Sequence, residues 1–278
     1  MQIKLLAFLS LLPIFAIFIA FLILPLGWIL INAFYVEELE AYSLENFTRI
    51  FSSQFYTQSI WQSLSVSFYS SVIGLIIATM TSYSIYVLKP SKLSSFLLSL
   101  NTMLSNFAGI PLAFACIIIF GNNGVINVLL KNMGIEPFFS IYSNIGINLV
   151  YIYFQIPLGV LLLFPAFKAL EESHKNASKM LGASNIIYWI KIACPLLAPA
   201  LLGVFVILFA NALGAYASIY ALNSNFNILP IRITSLVAGD ISLDPYLASA
   251  LSLVLMLIML GITLIANFIN KKYNFKAL

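Results

Sequence analysis

Charged residues are scarce in this chain. Of its 278 residues, 8% are charged and 62% are hydrophobic, and the mean hydropathy is +1.04, whereas soluble domains carry about 25% charged residues. A soluble fold could not bury that much apolar surface, so the composition predicts a protein of the lipid bilayer. The net charge of +4 does not indicate nucleic-acid binding, because the basic residues form no patch.

Histidine and cysteine are also rare, with one and two residues respectively. We interpret Cys116 and Cys194 as small buried hydrophobes, and we expect no disulfide between them because they fall near opposite membrane faces. The single His174 lies in a polar loop, and the sequence contains no His/Glu metal cluster and no phosphate-binding G-x-x-x-x-G-K-[ST] loop. We therefore expect no catalytic, metal or cofactor site, and a protein that is not an enzyme.

Long apolar runs fill most of the sequence. Each has the roughly 20 residues that a helix needs to cross the hydrocarbon core, and none alternates as barrel strands do. The first run is much longer than a signal-peptide core, which indicates a retained helix. We predict an all-α membrane protein in which residues 1–278 form a single transmembrane domain. Its six helices cover about 5–34, 60–88, 93–120, 145–167, 196–222 and 246–269.

The distribution of lysine and arginine predicts the orientation of these helices. With the N-terminus inside, the inner segments hold ten lysines, whereas the outer segments hold Arg49, Lys131 and Arg232. Both termini are therefore expected in the cytoplasm. We also expect kinks in the spans that contain Pro111 and Pro157.

The six predicted helices contain no Asp, Glu, Lys, Arg or His. Ion-coupled carriers commonly place such side chains in mid-membrane, so their absence disfavours a secondary transporter. A sodium carrier that uses carbonyls and hydroxyls stays open as an alternative. If the chain moves a solute uphill, we expect another polypeptide to supply the energy.

One polar stretch, at about 168–192, separates the fourth and fifth spans. Its many good helix formers predict a helix with Gly182 at its C-terminal end, and Ser184 is placed to cap a second short helix. Pro195 then falls where the fifth span begins. The predicted apolar face of the first helix consists of Leu170, His174, Ala177 and Leu181. An amphipathic helix lying on the inner leaflet is the alternative interpretation.

The order of residues in this stretch resembles the signature loop, or EAA motif, of permease subunits of bacterial ABC importers. That motif is Glu-Ala-Ala, three residues, Gly, nine residues, then Ile-x-Leu-Pro. Anchored on Gly182, it places Asn176-Ala177-Ser178 at the start and Ile192-Ala193-Cys194-Pro195 at the end. Asn176, Ser178 and Cys194 depart from the pattern, whereas its spacing is complete.

Other short segments are similar to the type I, binding-protein-dependent branch that serves polyamines, ferric iron, thiamine or phosphonates. They are Phe154-Gln-Ile-Pro157, Leu181-Gly-Ala-Ser184, Pro195-Leu-Leu-Ala-Pro199 and Gly121-Asn-Asn-Gly-Val-Ile-Asn127. The resemblance implies a six-helix permease of the bacterial inner membrane with a cytoplasmic coupling helix between helices 4 and 5. It implies no cofactor. The implied partners are ATP-binding cassette ATPase subunits, a second identical or related permease and an extracytoplasmic substrate-binding protein.

The resemblance also assigns roles to residues. The ATPase-coupling residues would be Asn176, Ala177, Ser178, Gly182, Ile192 and Pro195. The fifth span resembles a pore-lining helix, which makes Asn211, Gly214 and Tyr216 pathway candidates, ahead of the other polar span residues Asn101, Asn106, Tyr151 and Gln155. Hydrogen bonding between helices is the alternative role for each of them.

Two outer segments, around 121–134 and 231–245, would meet a docking substrate-binding protein, or else pack against neighbouring helices. Asp240 and Asp244 are candidates for ion pairs with such a partner. The function predicted from the sequence is thus the channel-forming subunit of an ATP-driven solute importer. The alternatives are an ion-coupled secondary transporter and a membrane scaffold protein.

Overall fold

A computed structural model of the chain describes residues 11–136, 139–170, 172–239 and 243–274. Six helical stretches in this part of the chain are long and apolar enough to cross a membrane, which confirms the predicted class and number of spans. They are Leu11–Asn32, Gln54–Val87, Ile110–Asn132, Asn144–Lys168, Asn185–Leu213 and Pro245–Lys271.

Thirteen helices are assigned over the described residues. They are α1 (Leu11–Asn32), α2 (Glu45–Ser52), α3 (Gln54–Val87), α4 (Lys92–Ser105), α5 (Ile110–Phe120), α6 (Val125–Asn132), α7 (Asn144–Lys168), α8 (Glu172–Met180), α9 (Asn185–Tyr188), α10 (Cys194–Leu213), α11 (Ala217–Leu222), α12 (Leu229–Ala238) and α13 (Pro245–Asn274). A π-helical turn, Ile19–Ile23, interrupts α1, and a second, Trp189–Ala193, joins α9 to α10. A short ribbon was not predicted: β1 (Tyr35–Val36) pairs antiparallel with β2 (Ala41–Tyr42).

The chain forms two compact units. The first comprises the described residues up to Ile60 together with Arg232–Ile258. In it the buried Asn46 amide donates hydrogen bonds to the carbonyls of Tyr35 (2.8 Å) and Ala33 (3.3 Å), so α2 is attached to the ribbon. The rings of Tyr35 and Tyr246 lie 5.0 Å apart, which packs the ribbon against the start of α13.

The second unit comprises Trp61–Ile231 and the described residues from Met259 onward. It contains two hydrophobic clusters. One gathers residues of α3, α5, α7 and α11 around Tyr151 and Ile147, and the other gathers residues of α3, α7, α9 and α10 around Leu163 and Phe167. Because α7 contributes more buried residues to the two clusters than any other helix, it is the central helix of this unit.

Two predicted spans are broken where the sequence indicated continuous helices. The span at 93–120 is interrupted at 106–109, where Gly109 has φ +72°, and Pro111 lies in the first turn of α5 and does not kink a longer helix. The span at 196–222 is interrupted at 214–216. Pro157 does lie inside a continuous helix, α7.

The two cysteines are both free. Cys116 is half-buried, whereas Cys194 is exposed, so the interpretation of Cys194 as a buried hydrophobe was wrong. Cys194 lies between the π turn and Pro195.

Candidate functional site

The polar segment between the fourth and fifth spans contains the helix α8, which ends at Met180. Its end has both hydrogen bonds of a Schellman motif: the Gly182 N–H donates to the Lys179 carbonyl (2.9 Å), and the Ala183 N–H donates to the Ser178 carbonyl (3.0 Å). Gly182 has φ +77°, a left-handed conformation that glycine adopts without a clash of Cβ. The predicted helix and its C-terminal glycine are confirmed.

The residues of the predicted apolar face do not all belong to this helix. Leu170 is buried, but it precedes α8, and the other three predicted residues are exposed: His174, Ala177 and Leu181. Ser178 is the side chain that packs inward, at 4% exposure, and its hydroxyl donates to the Lys175 carbonyl (2.8 Å). The end of α8 presents Met180 and Leu181 outward, at 89% and 88% exposure. This apolar tip lies outside the six membrane-length stretches.

The polar segment is attached to the end of α3 through two tyrosines. The Tyr86 hydroxyl donates a 2.9 Å hydrogen bond to the Leu170 carbonyl. The Tyr83 ring packs edge-on against Trp189, with ring centroids 5.0 Å apart. Both ends of the segment are therefore held against the same span.

After α8 the chain turns at 181–184 and enters one long helical stretch, Asn185–Leu213. The Ser184 hydroxyl accepts a hydrogen bond from the Ile187 N–H (3.3 Å), which confirms Ser184 as the cap of α9. Pro195, however, does not begin a span, because α9, the π turn and α10 are continuous. The Cys194 N–H donates to the Trp189 carbonyl five residues back, and this wider turn accommodates the proline ring.

The six predicted coupling residues occupy two neighbouring helical stretches. Asn176 and Ala177 are exposed on α8, and Ser178 and Gly182 form its buried contact and its C-terminal turn. Ile192 and Pro195 belong to the long stretch that follows, with Ile192 half-buried in the π turn. The motif spacing thus spans a helix, a turn and the first part of the next helix.

The three pathway candidates meet at the break between α10 and α11. The Asn211 amide donates to the Gln155 side-chain oxygen (3.3 Å), and Gly214 follows the last residue of α10. Tyr216 stacks on Tyr220, with ring centroids 5.0 Å apart. Asn211 and Gly214 are exposed and Tyr216 is half-buried.

Gln155 is the centre of a polar network that the sequence analysis did not distinguish from its neighbours. Its side chain is completely buried, and its amide donates to the Leu208 carbonyl (2.6 Å) and to the Ser71 hydroxyl (3.4 Å). A Cβ at Gly74 would lie 2.7 Å from the Gln155 Cβ, so α3 and α7 approach closely beside this network. The only sequence feature that pointed to Gln155 was its place in the segment Phe154-Gln-Ile-Pro157, which resembles the importer permeases.

The remaining polar span residues make hydrogen bonds within the second unit. The Tyr151 hydroxyl donates to the Ala215 carbonyl (3.4 Å), the Asn101 amide to the Pro157 carbonyl (3.0 Å), and the Asn106 amide to the Thr102 carbonyl (2.8 Å). These contacts support the alternative role for these residues, which is hydrogen bonding within and between helices.

A cavity of about 750 Å³ lies beside α8. Its walls come from the end of α3, the start of α4, the end of α7, α8 and α9, and four lysines line it: Lys89, Lys168, Lys175 and Lys179. The cavity was not predicted from the sequence, because Lys89 and Lys168 are distant in sequence from Lys175 and Lys179, which share α8.

Asp244 makes its contacts within the first unit. Its carboxylate lies 3.2 Å from the Arg49 guanidinium and accepts a hydrogen bond from the Leu247 N–H (2.8 Å) at the start of α13. Asp240 lies outside the described residues. Within the part of the chain that the structure describes, no three His, Cys, Asp or Glu residues form a group that could hold a metal ion.

Comparison with known proteins identifies sequence relatives. No protein-family model matches the chain. It is 26% identical over 221 residues to a probable sulfate transport system permease protein of Prototheca wickerhamii, covering 79% of this chain and 83% of that one. The corresponding protein of Chlorella vulgaris is 30% identical over 164 residues, covering 59% of each chain. A putative ferric transport system permease protein of Haemophilus influenzae is 24% identical over 92% of this chain, which spans only 40% of that relative.

Solved structures match over nearly the whole chain. A bacterial ABC transporter that imports the acidic polysaccharide alginate superposes with a TM-score of 0.79 at 15% identity, covering 98% of this chain and 96% of that one. The chain has the fold of ABC importer permeases. A methionine ABC transporter in inward-facing conformations shares this permease fold, with a TM-score of 0.61 at 16% identity over 78% of this chain and 95% of that one.

These findings confirm the resemblance to permease subunits of ABC importers and the membrane-spanning character of the chain. Further relatives are named as thiamine and spermidine/putrescine transport system permeases, in agreement with the expected branch. The relatives are named as permease proteins of transport systems, which agrees with the expectation that this chain is a permease and that ATP hydrolysis belongs to a separate subunit.

Proposed function

We propose that this permease is the channel-forming subunit of an ATP-driven solute importer and that α8 is its contact with a separate ATPase subunit. The observation that carries the proposal is the apolar tip of α8. Two large apolar side chains, Met180 and Leu181, stand about nine-tenths exposed outside the spans. A short helix with such a tip is suited to a groove on a partner protein.

The connection from α8 into the spans provides the coupling. The turn at 181–184 leads directly into the continuous stretch Asn185–Leu213. At 1.5 Å per residue, Asn211 lies roughly 39 Å along this helix from Asn185. A displacement of α8 by a closing ATPase would therefore move a helix that reaches across the membrane to the proposed pathway.

We assign the coupling contact to the residues of the signature motif: Asn176, Ala177, Ser178, Gly182, Ile192 and Pro195. Asn176 and Ala177 are exposed on α8 and would touch the partner. Ser178 and Gly182 fix the position of the helix and its turn. Asn211, Gly214 and Tyr216 are assigned to the solute pathway, because they lie at or beside a break in a span, and irregular backbone at membrane depth occurs where it is buried in protein or lines a cavity.

The partners follow from this assignment. Besides two ATPase subunits, we propose a second permease, identical or related, and an extracytoplasmic substrate-binding protein. A solved relative by fold is a bacterial alginate transporter in complex with an alginate-bound periplasmic protein. We propose that both termini and the coupling contact lie on the cytoplasmic side of a bacterial inner membrane, and the excess of lysine on the segments beside α8 supports this orientation.

The test is transport in proteoliposomes. The tagged chain is purified from its native membranes together with bound subunits and reconstituted with ATP or a non-hydrolysable analogue enclosed. Labelled sulfate, ferric iron, thiamine and putrescine are supplied outside with the extracytoplasmic protein fraction. Accumulation of one solute that requires ATP hydrolysis is expected. Accumulation driven by a sodium or proton gradient alone would contradict the proposal and support the ion-coupled carrier.

The contact itself is tested with a matched pair of variants. Met180→Ser/Leu181→Ser removes the apolar tip, and we expect the ATPase subunit to be lost from the purified assembly. The control, Leu39→Ser/Leu44→Ser, replaces two leucines of the first unit that are 56% and 64% exposed. This variant should retain the ATPase subunit. Equal ATPase content in both preparations would exclude α8 as the contact.

A further inference from the structure

The cavity beside α8 carries a concentrated positive charge. Four lysines line it, and none of its lining residues that the structure describes is acidic. The Lys168 ammonium lies 4.9 Å from the centre of the Phe164 ring, which holds it against the wall. Hydroxyl and amide groups of Tyr83, Ser95 and Asn176 add hydrogen-bonding capacity to the same wall. Such a lining is complementary to an anion.

This basic cavity lies where membrane-length helices end. The helix α3 ends at Val87 and α7 ends at Lys168, and both residues line the cavity. Trp189, at the start of the next long stretch, also lines the cavity. Tryptophan and lysine at the ends of spans mark the level of lipid headgroups.

An apolar groove of about 370 Å³ adjoins the basic cavity. It is lined by α3, α4 and α7, and Ile85 lines both spaces. The groove has mostly apolar walls: Thr81, Ser84, Leu88, Leu97, Leu100, Asn101, Leu104, Tyr153, Ile156 and Pro157. The part contributed by α7, Tyr153 to Pro157, lies in the middle of that span. The basic cavity and the apolar groove are therefore neighbours that share Ile85 as a wall, and α7 passes from one to the other.

We propose that these two spaces together form a binding site for an anionic phospholipid. The phosphate-bearing headgroup lies among Lys168, Lys175 and Lys179, and one acyl chain lies in the groove beside Leu97 and Leu104. Basic pockets between membrane helices bind anionic headgroups in this way. A free phosphate or nucleotide would use the cavity alone and leave the groove unexplained, so the lipid accounts for both observations.

The site couples lipid composition to the position of α8. Lys175 and Lys179 belong to α8, whereas Lys168 ends α7. An anion between them neutralises a repulsion and fixes α8 against the end of α7. This inference requires only that the chain spans a membrane, so it stands or falls separately from the proposed importer function.

Tryptophan fluorescence tests the site directly. The chain has three tryptophans, and Trp28→Phe/Trp61→Phe leaves Trp189, in the cavity wall, as the single fluorophore. The full chain is reconstituted in phosphatidylcholine vesicles that contain a small fraction of phosphatidylglycerol or phosphatidylcholine with brominated acyl chains. Bromine quenches Trp189 when the labelled lipid binds beside it.

We expect brominated phosphatidylglycerol to quench Trp189 with at least about tenfold higher apparent association than brominated phosphatidylcholine, since the three lysines attract an anionic headgroup. Lys168→Gln/Lys175→Gln/Lys179→Gln should abolish this preference. Lys92→Gln/Lys191→Gln/Lys271→Gln removes the same charge outside the cavity and should retain it. Equal quenching by the two lipids, or an equal preference in both triple variants, would overturn the proposal.

Two further arms separate a lipid from a soluble anion. Ser84→Phe narrows the groove and should weaken quenching by the brominated anionic lipid, whereas Thr102→Phe, on α4 outside the groove lining, should not. Inorganic phosphate at matched ionic strength should leave the quenching unchanged. Displacement of the lipid by phosphate, together with no effect of Ser84→Phe, would assign the cavity to a free anion.

Discussion

The side-chain amide of Gln155 donates a 2.6 Å hydrogen bond to the backbone carbonyl of Leu208, joining α7 to α10 in the interior of the second unit. Gln155 is completely buried and also accepts a hydrogen bond from Asn211. A pathway candidate is therefore attached to the central helix by a residue that no solute can reach.

This arrangement predicts different effects for the two residues. Gln155→Met removes all of the bonds and should lower the stability of the detergent-solubilised protein by about 1–2 kcal/mol, since each interhelical bond in membranes contributes roughly 0.6 kcal/mol on average. Asn211→Ala removes one bond and should lower the melting temperature less while reducing solute uptake. Thermal unfolding measures the loss of stability in both variants, and uptake assays measure the loss of transport. A larger melting shift for Asn211→Ala would contradict the network.

The left-handed turn at Gly182 predicts sensitivity to any side chain. A Cβ there would meet no atom within 4 Å, so the cost of Gly182→Val arises from the backbone conformation. That cost is about 1–2 kcal/mol for an L-residue, or roughly tenfold in the population of the native turn. Uptake should fall accordingly, with normal membrane insertion. Gly203→Val, in an equally open position inside α10, is the control and should retain uptake.

The hydrogen bond from Tyr86 to Leu170 predicts how firmly the polar segment is held. Tyr86→Phe should release the segment at a cost of about 1 kcal/mol, the usual net value of one hydrogen bond. Amide hydrogen exchange at 173–183 should then be faster. Tyr83→Phe keeps the ring contact with Trp189 and should leave exchange unchanged. Identical exchange in both variants would show that the tyrosine hydroxyl does not hold the segment.

Asp244 combines an ion pair with a helix cap, and substitutions separate the two. Asp244→Ala should destabilise the protein by about 1 kcal/mol or more, because the cap of α13 is lost. Asp244→Asn keeps a capping oxygen and should cost less, since a partly exposed ion pair with Arg49 contributes little. Thermal unfolding compares the two variants, with Arg49→Gln as the control for the ion pair alone. Equal losses of stability in Asp244→Ala and Asp244→Asn would mean that the carboxylate charge contributes more than the helix cap.

The number of spans could be predicted from the sequence because a helix must be long and apolar to cross a bilayer. The breaks at 106–109 (Asn-Phe-Ala-Gly) and 214–216 (Gly-Ala-Tyr) were not predicted, because each is only three or four residues long and lies within a long apolar run. Distant residues satisfy the backbone at these breaks. The Ser218 hydroxyl donates to the Gly109 carbonyl (3.0 Å), and the Tyr151 hydroxyl donates to the Ala215 carbonyl.

The candidate site could be predicted only where its residues act through local structure. Gly182 and Ser184 act through their own backbone and nearest neighbours, so local spacing located them. The buried side of α8 depends on contacts with residues distant in sequence, so the inward packing of Ser178 was not predicted. The cavity lysines come from the end of α7, from α8 and from the connection after α3, which no local pattern brings together.

The π turn before Pro195 changes the angular phase of the helix that follows. One extra residue in a turn offsets every later side chain by about 100° relative to an uninterrupted α-helix. The same device precedes Pro25, where the Leu24 N–H donates to the Ile19 carbonyl. Deleting one residue from Trp189–Ala193 would therefore keep a helix but rotate Leu208 away from Gln155. The orientation of α10 toward α7 is set by a five-residue segment near its beginning.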